Sequence, residues 1–323
     1  MKYYSSLFVV FAFLCSSCAS LTKSQLDAVN AFGQLGSNFS AYPGSIISIY
    51  NNVHVQNEMF RANSLSDPEQ HFRAVSLAND FKWKTRLISE ETDLSLHIID
   101  QYAQSLVMLT SAKPVNQLDT ASHNFGNNID SLVSKYNTLK PQSPLPTGIS
   151  DDLSALLMAG GDLYIRSKQA EAVRKVVPQG DVIIAKMCTN LLAFLEPADS
   201  IRGLKYMIAQ EKITLTTNYK AYLGLNRDEI SISKDKEAYS GYLRHQRFVS
   251  LNDDELCLNL LQNLDNAELL RRQCVSAVKD MRQAHAQLLA ALNEKRTLKS
   301  ISGIIKNYVA DVKSMNLTLT AIK

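Results

Sequence analysis

The sequence predicts an all-α fold, an elongated bundle of long antiparallel helices that divides into two sub-bundles, and three observations carry that expectation. Apolar side chains return at steps of three and four along most of the chain, the period of one helix face. Glycine is scarce, 12 of 323 residues against an ordinary share of about 7%. Proline disappears altogether after Pro197, so both helix breakers are missing where helices are expected.

The elements follow in order. A first helix starts near Ser24 and presents Leu26, Val29, Phe32 and Leu35, with Gly36-Ser37-Asn38 as its stop. Pro43, after Tyr42, suits the first turn of a second helix that shows Ile46, Tyr50, Val53 and Phe60. Ser66-Asp67-Pro68-Glu69 joins an N-cap residue to a proline and a first-turn acid, and so opens a third helix running to Ala112. Its seam is Leu87, Leu94, Ile98, Tyr102, Leu106 and Leu109. A fourth, from Val115 to Leu139, shows Leu118, Phe125, Ile129, Leu132 and Tyr136.

Pro141, Pro144 and Pro146 fall within one short polar stretch that cannot be helix interior, so 141–149 reads as a linker or an inter-bundle loop between an 18–140 portion and a 150–323 portion. Ser150-Asp151-Asp152 caps a fifth helix that ends at Val177, before Pro178-Gln179-Gly180. From Asp181 a new run shows Ile184, Met187, Cys188, Leu191 and Leu195, and Pro197 breaks it. Ile201, Leu204, Ile208, Leu215 and Tyr222 continue beyond, and Asn226 to Ser233 is less regular. The cleanest seam is Leu270, Cys274, Val278, Met281, His285, Leu288 and Leu292, whose alternating steps resemble buried heptad positions. A last helix shows Ile301, Ile305, Tyr308, Val312, Met315 and Leu319.

The amino terminus has its own logic. Met1-Lys2-Tyr3-Tyr4 is a short positive start, Leu7 to Leu14 is unbroken apolar chain, and Ser16-Ser17-Cys18 closes it with small residues. Such a run makes roughly 12 Å of helix against a bilayer core of about 30 Å, which suits targeting rather than spanning. Leu14-Cys15-Ser16-Ser17-Cys18 resembles the lipobox of bacterial lipoproteins, with one departure: Cys15 stands where Leu is usual and the Leu falls one place earlier. The resemblance covers the first 18 residues only. It implies that residues 1–17 are removed, that Cys18 is lipidated, and that the chain is held to a membrane of the bacterial envelope by its acyl groups. By the same resemblance, the absence of Asp at position 19 implies the outer membrane, and the absence of an early acidic run implies its periplasmic face. An ordinary cleaved signal with a released mature chain is the other reading.

Charge excludes some classes. Lys plus Arg number 34 and Asp plus Glu 31, a net +3, and the basic residues are interleaved with acids as in Arg227-Asp228-Glu229. Nucleic acid needs a concentrated positive footprint, so it is not an expected partner.

The search for chemistry returns little. Cys188, Cys257 and Cys274 remain after the signal, and their seam positions read as small buried hydrophobes. A Cys257–Cys274 disulfide across a helical hairpin is the alternative. The six histidines, His54, His71, His97, His123, His245 and His285, are dispersed, with no Glu-x-x-His pair and no His-Glu-x-x-His, so no metal or cofactor is expected. Cys274 and His285 share a seam but stand about 16 Å apart along a helix, too far for a dyad. Ser-x-x-Lys occurs at Ser20, Ser231 and Ser233 without the companion motifs of penicillin-binding enzymes, and no nucleophile elbow or phosphate loop is present. Asp151-Asp152 and Asp253-Asp254-Glu255 sit where helices begin, where carboxylates favour the positive dipole end.

The function expected is therefore a non-enzymatic envelope lipoprotein acting as a helical scaffold or protein-interaction module. Its contacts are the membrane, through Cys18, and an unidentified protein. Residues 153–165, LSALLMAGGDLYI, support the alternative of a membrane-active, pore-forming-like protein, while a closely crossing soluble helix explains the same run. An enzyme assembled from residues distant in sequence is the third reading.

Overall fold

The computed structural model describes residues 22–40, 42–65, 67–110, 128–142, 144–146, 165–197, 203–224, 251–294 and 299–322. Side-chain surroundings are described within these except at 79–89, 91, 165–169, 171, 293–294, 299–305 and 321–322. Among the described residues the chain is an all-α bundle with no strand. Its helices are α1 (Lys23–Phe39), α2 (Tyr42–Asn63), α3 (Pro68–Thr110), α4 (128–139), α5 (Ile165–Leu195), α6 (Leu204–Tyr222), α7 (Leu251–Glu294) and α8 (Lys299–Ile322).

Two compact units form, and neither is continuous in sequence. Unit 1 takes Met1–Ala41, Asp93–Leu191 and Ser276–Val312; unit 2 takes Tyr42–Thr92, Leu192–Val275 and Lys313–Lys323. The division differs from the sequence expectation of a boundary at 141–149, because chain on both sides of that segment belongs to unit 1. Polar side chains hold the described part of that segment at Pro144 and Leu145. Asn137 Oδ1 accepts the Leu145 N–H at 2.6 Å, Asn137 Nδ2 donates to the Leu145 carbonyl at 3.1 Å, and Lys186 Nζ donates to the Pro144 carbonyl at 2.6 Å. Leu145 is buried as a result.

The seams behave as their spacing predicts. Leu270, Cys274, Val278, Met281, His285, Leu288 and Leu292 are all buried on α7, and Cys257, Leu260, Leu264 and Ala267 extend the same stripe toward its start. Fully burying one large aliphatic side chain is worth about 1.5–3 kcal/mol, which makes this stripe the largest single source of cohesion the sequence offers α7. Ile98, Tyr102, Leu106 and Leu109 of α3 are buried too, as are Val29, Phe32 and Leu35 of α1. The α3 start is capped as expected: Asp67 Oδ1 accepts the Glu69 N–H at 2.8 Å. At α1 the cap is Thr22, one residue outside the helix, with Thr22 Oγ1 accepting the Gln25 N–H at 3.2 Å and Gln25 Oε1 accepting the Thr22 N–H at 2.9 Å.

Two breakers expected to end helices lie inside them. Gly36 is on the buried face of α1, which continues to Phe39; a Cβ there would lie 2.8 Å from the Ala103 Cβ, so the glycine serves close approach to α3 rather than termination. Pro178 lies within α5, which runs unbroken from Ile165 to Leu195. An interior proline costs a helix about 3 kcal/mol. Here it sits on the exposed side, where water can replace the lost bond, while Val173, Val176, Val177, Ile183, Ile184 and Met187 are all buried on the other. Six such residues outweigh one proline. Pro197 does end a helix, immediately after α5. The expected features at Leu118, Phe125, Ser150-Asp151-Asp152, Ile201, 226–243 and 153–164 lie outside the described residues.

Leu270→Ala is expected to destabilise the protein by about 2–5 kcal/mol, read from the shift of a chemical denaturation midpoint, because the cavity lies in a fully buried seam. Leu258→Ala, on the same helix but two-thirds exposed, is the control and is expected to change stability by less than about 0.5 kcal/mol.

Candidate functional site

In unit 1 three helices each deliver one polar side chain to a shared point. His285 on α7 is fully buried, Tyr102 on α3 is fully buried, and Asp181 on α5 keeps about a third of its side chain exposed. His285 Nδ1 lies 2.9 Å from Asp181 Oδ1, and His285 Nε2 lies 2.7 Å from the Tyr102 hydroxyl. An ionised carboxylate only accepts, so Nδ1 carries the ring proton and donates to Asp181. In the neutral ring Nε2 then accepts from Tyr102, and the imidazole has no nitrogen left over. The Phe32 ring stands edge-on to the imidazole, with centroids 5.2 Å apart and planes at 65°.

The sequence makes this convergence from ordinary helical parts. His285 occupies a seam position, four residues after Met281 and three before Leu288, so burial of the seam buries the ring. Tyr102 follows Ile98 by four for the same reason. Gly180 supplies the space: a Cβ there would overlap the Tyr102 ring. Asp181 comes next in sequence and reaches the imidazole. The proline-glycine pair that marks a break to a sequence reader is thus where α5 lets a phenol ring in.

Electrostatics follow the geometry. The hydrogen bond from His285 holds the Asp181 carboxyl below the usual range; partial burial opposes this, and the Arg282 charge adds to the lowering. Burial pushes the Tyr102 phenol well above its ordinary value, with the Asp181 charge acting in the same direction, so it remains a hydroxyl donor. The set is an oriented Asp–His–Tyr relay whose only solvent-facing member is the carboxylate.

Unit 2 has a second polar cluster. Glu211 on α6 is buried and meets Tyr50, His54 and Asn57 of α2. Elsewhere in that unit Arg271, also buried, donates from Nη1 to the Leu195 carbonyl at 2.9 Å and from Nε and Nη2 to Glu268 at 2.7 Å each. It closes the end of α5, a structural task that arginine's fork geometry suits.

The residues singled out in the sequence fare differently. Cys188, Cys257 and Cys274 are all buried and free. The alternative of a Cys257–Cys274 disulfide is corrected: both lie on the single helix α7, 17 residues or about 25 Å apart, whereas a disulfide needs Cα atoms within about 7 Å. Burial pushes the Cys188 thiol up to about 12 and raises Cys257 and Cys274 as well, which leaves them unreactive at neutral pH. Asp253 and Asp254 stand in the first turn of α7 as expected, and they also accept hydroxyl bonds from Tyr222 and Tyr219. His71 Nδ1 donates to the Ala62 carbonyl at 2.9 Å and His97 is exposed, while His123, His245 and Cys18 lie outside the described residues. No group of three or more His, Cys, Asp or Glu side chains suited to a metal occurs among the described residues.

Sequence reading placed His285 in a seam but missed its partners, and it missed Glu211 entirely. The one available signal for Glu211 was an empty slot, since Ile208 and Leu215 are seven apart and a seam needs an occupant between them.

Comparison with protein-family models, with curated proteins and with solved structures gives no match.

Two outcomes are expected at the relay. A carboxylate whose folded value is lowered adds stability above its unfolded value, about 3.9, and that contribution is lost as pH falls through the folded value. Wild type should therefore melt above Asp181→Asn at neutral pH, and the gap should narrow in thermal denaturation scans as pH falls below the unfolded value of about 3.9. Gly180→Ala is expected to lower the melting temperature more than Ala185→Gly on the same helix, because the added methyl displaces the Tyr102 ring; equal effects would remove the close-approach role.

Proposed function

We propose that the chain is a non-enzymatic lipoprotein of the bacterial envelope, anchored through a lipidated Cys18, whose helical portion is a scaffold or interaction module for another protein. The Leu14 to Cys18 pattern supports the anchor, and outer-membrane attachment facing the periplasm follows from the residues after Cys18. The observation that carries the interaction reading is the closure of the relay: His285 is fully buried with both nitrogens engaged, so the most enzyme-like constellation among the described residues offers no free imidazole nitrogen to act as a base. Such a set fixes the register of three helices. Unit 2 displays Phe72, Leu251 and Leu258, each at least 66% exposed, apolar side chains that suit a protein contact. No described helix is long and apolar enough to cross a membrane, so attachment in this reading depends on the lipid.

Fractionation of cells producing the full chain tests the anchor. Wild type should pellet with membranes and Cys18→Ser should remain aqueous; an aqueous wild type overturns it. Crosslinking in intact envelopes should give one discrete adduct of larger mass, and the absence of any adduct overturns the interaction module. Leakage of liposomes caused by the unlipidated mature chain would instead favour a membrane-active protein acting through residues 153–165.

A further inference from the structure

Helix α7 carries a second row besides its buried stripe. Glu255, Leu258, Gln262, Asp265, Leu269 and Arg272 follow one another at alternating steps of three and four, and all are exposed. At about 3.6 residues per turn they lie on the side of the helix opposite Cys257, Leu260, Leu264, Leu270 and Cys274. That spacing is the seam of a helix pair. Leu258 is 66% exposed and Leu269 38%, and Leu251, one step before Glu255, is 82% exposed. Single exposed leucines are ordinary, but these stand at fixed places among charges.

The order of the charges decides what can cover the row. A second copy laid parallel would set Glu255 on Glu255, Asp265 on Asp265 and Arg272 on Arg272, like charge on like throughout. Laid antiparallel about a twofold axis between positions 263 and 264, it sets Glu255 beside Arg272, Leu258 beside Leu269 and Gln262 beside Asp265. Each pairing is complementary: an ion pair, an apolar contact, and an amide that donates to a carboxylate. The twofold axis makes each of them occur twice. Moving the axis to 260 or 267, the neighbouring registers of the same seam, sets Glu255 against Asp265 or Asp265 against Leu269. Register is therefore specified along with direction. Two of the charged members have contacts within unit 2, Asp265 with Lys212 at 2.7 Å and Arg272 with Glu268 at 3.8 Å, but the Asp265 and Arg272 side chains each stay 65% exposed and such surface pairs are weak competitors.

We propose that the chain pairs with a second copy of itself through this row, α7 against α7 and antiparallel, with Gln262–Asp265 contacts at the centre, Leu258–Leu269 contacts on either side and Glu255–Arg272 ion pairs at the ends. The stretch involved, 255–272, lies within unit 2 and measures about 26 Å along the helix. One helix pair of that length is at the small end of specific interfaces, so the dimer dissociates on dilution. The buried stripe takes no part in it, and the separated monomer keeps its fold. This pairing goes beyond the scaffold reading and is tested without it.

Sedimentation equilibrium of the purified, unlipidated mature chain over a dilution series tests the pairing. Wild type should fit a monomer–dimer equilibrium. Glu255→Arg alone and Arg272→Glu alone each set like charges together at both ends, and each should weaken association by about tenfold or more while the diluted monomer melts as wild type does. Mixed in equal amounts, the two variants should pair with each other, because one then carries arginine and the other glutamate at both positions. The double variant should recover pairing with itself. Neutral residues at both positions, cysteine included, should remove the ion pairs and leave a monomer. A monomeric wild type, a dimer indifferent to either single reversal, or single variants that stay monomeric on mixing would each overturn the self-pairing, and none of these outcomes bears on contact with a different protein.

Discussion

Burial of the α7 stripe is the constraint from which the rest of the structure follows. The helix runs from Leu251 to Glu294, and buried side chains recur from Cys257 to Leu292 without a gap longer than one helical turn. A rod of that length satisfies its own backbone but gains little from helix propensity alone; its stability comes from the neighbours that cover the stripe. Both compact units draw on it, unit 2 through Leu251–Val275 and unit 1 through Ser276–Glu294. Polar groups are then placed by the same geometry, for a seam position is buried whatever residue occupies it.

That rule explains the two polar clusters. His285 and Glu211 occupy positions where an aliphatic residue would pack, and each is accommodated only because other helices supply its hydrogen bonds. Such sites add less net stability than a well-packed Leu, yet they discriminate strongly against misplaced helices, since a slip would strand an imidazole or a carboxylate without partners. Cys188, Cys257 and Cys274 follow the seam rule in its simplest form, as small apolar fillers.

The sequence made the helices legible because periodicity is a local property. Leu270 to Leu292, Ile98 to Leu109 and the Asp67-Pro68 start all sit as the spacing predicts. Tertiary context decided what spacing could not. Gly36 and Pro178 look like stops in isolation, but one faces Ala103 at close range and the other faces solvent behind six buried side chains. The partners of the polar residues were invisible for a related reason: Asp181 is 104 residues from His285, Tyr102 is 183 from it, and His54 is 157 from Glu211. No local pattern encodes a pairing at such separations. The hairpin imagined between Cys257 and Cys274 fails likewise, because nothing in that stretch interrupts the helix.

The continuity of α7 is open to direct measurement. Spin labels attached through Glu255→Cys and Arg272→Cys, both exposed positions within unit 2, in a chain whose Cys188, Cys257 and Cys274 are replaced by alanine, report the span of the helix by pulsed electron resonance. A single narrow distance near 26 Å, from 17 residues at about 1.5 Å each, is the expected result. A distribution centred below about 15 Å would mean that the rod folds back on itself, and the stripe could not run unbroken as described.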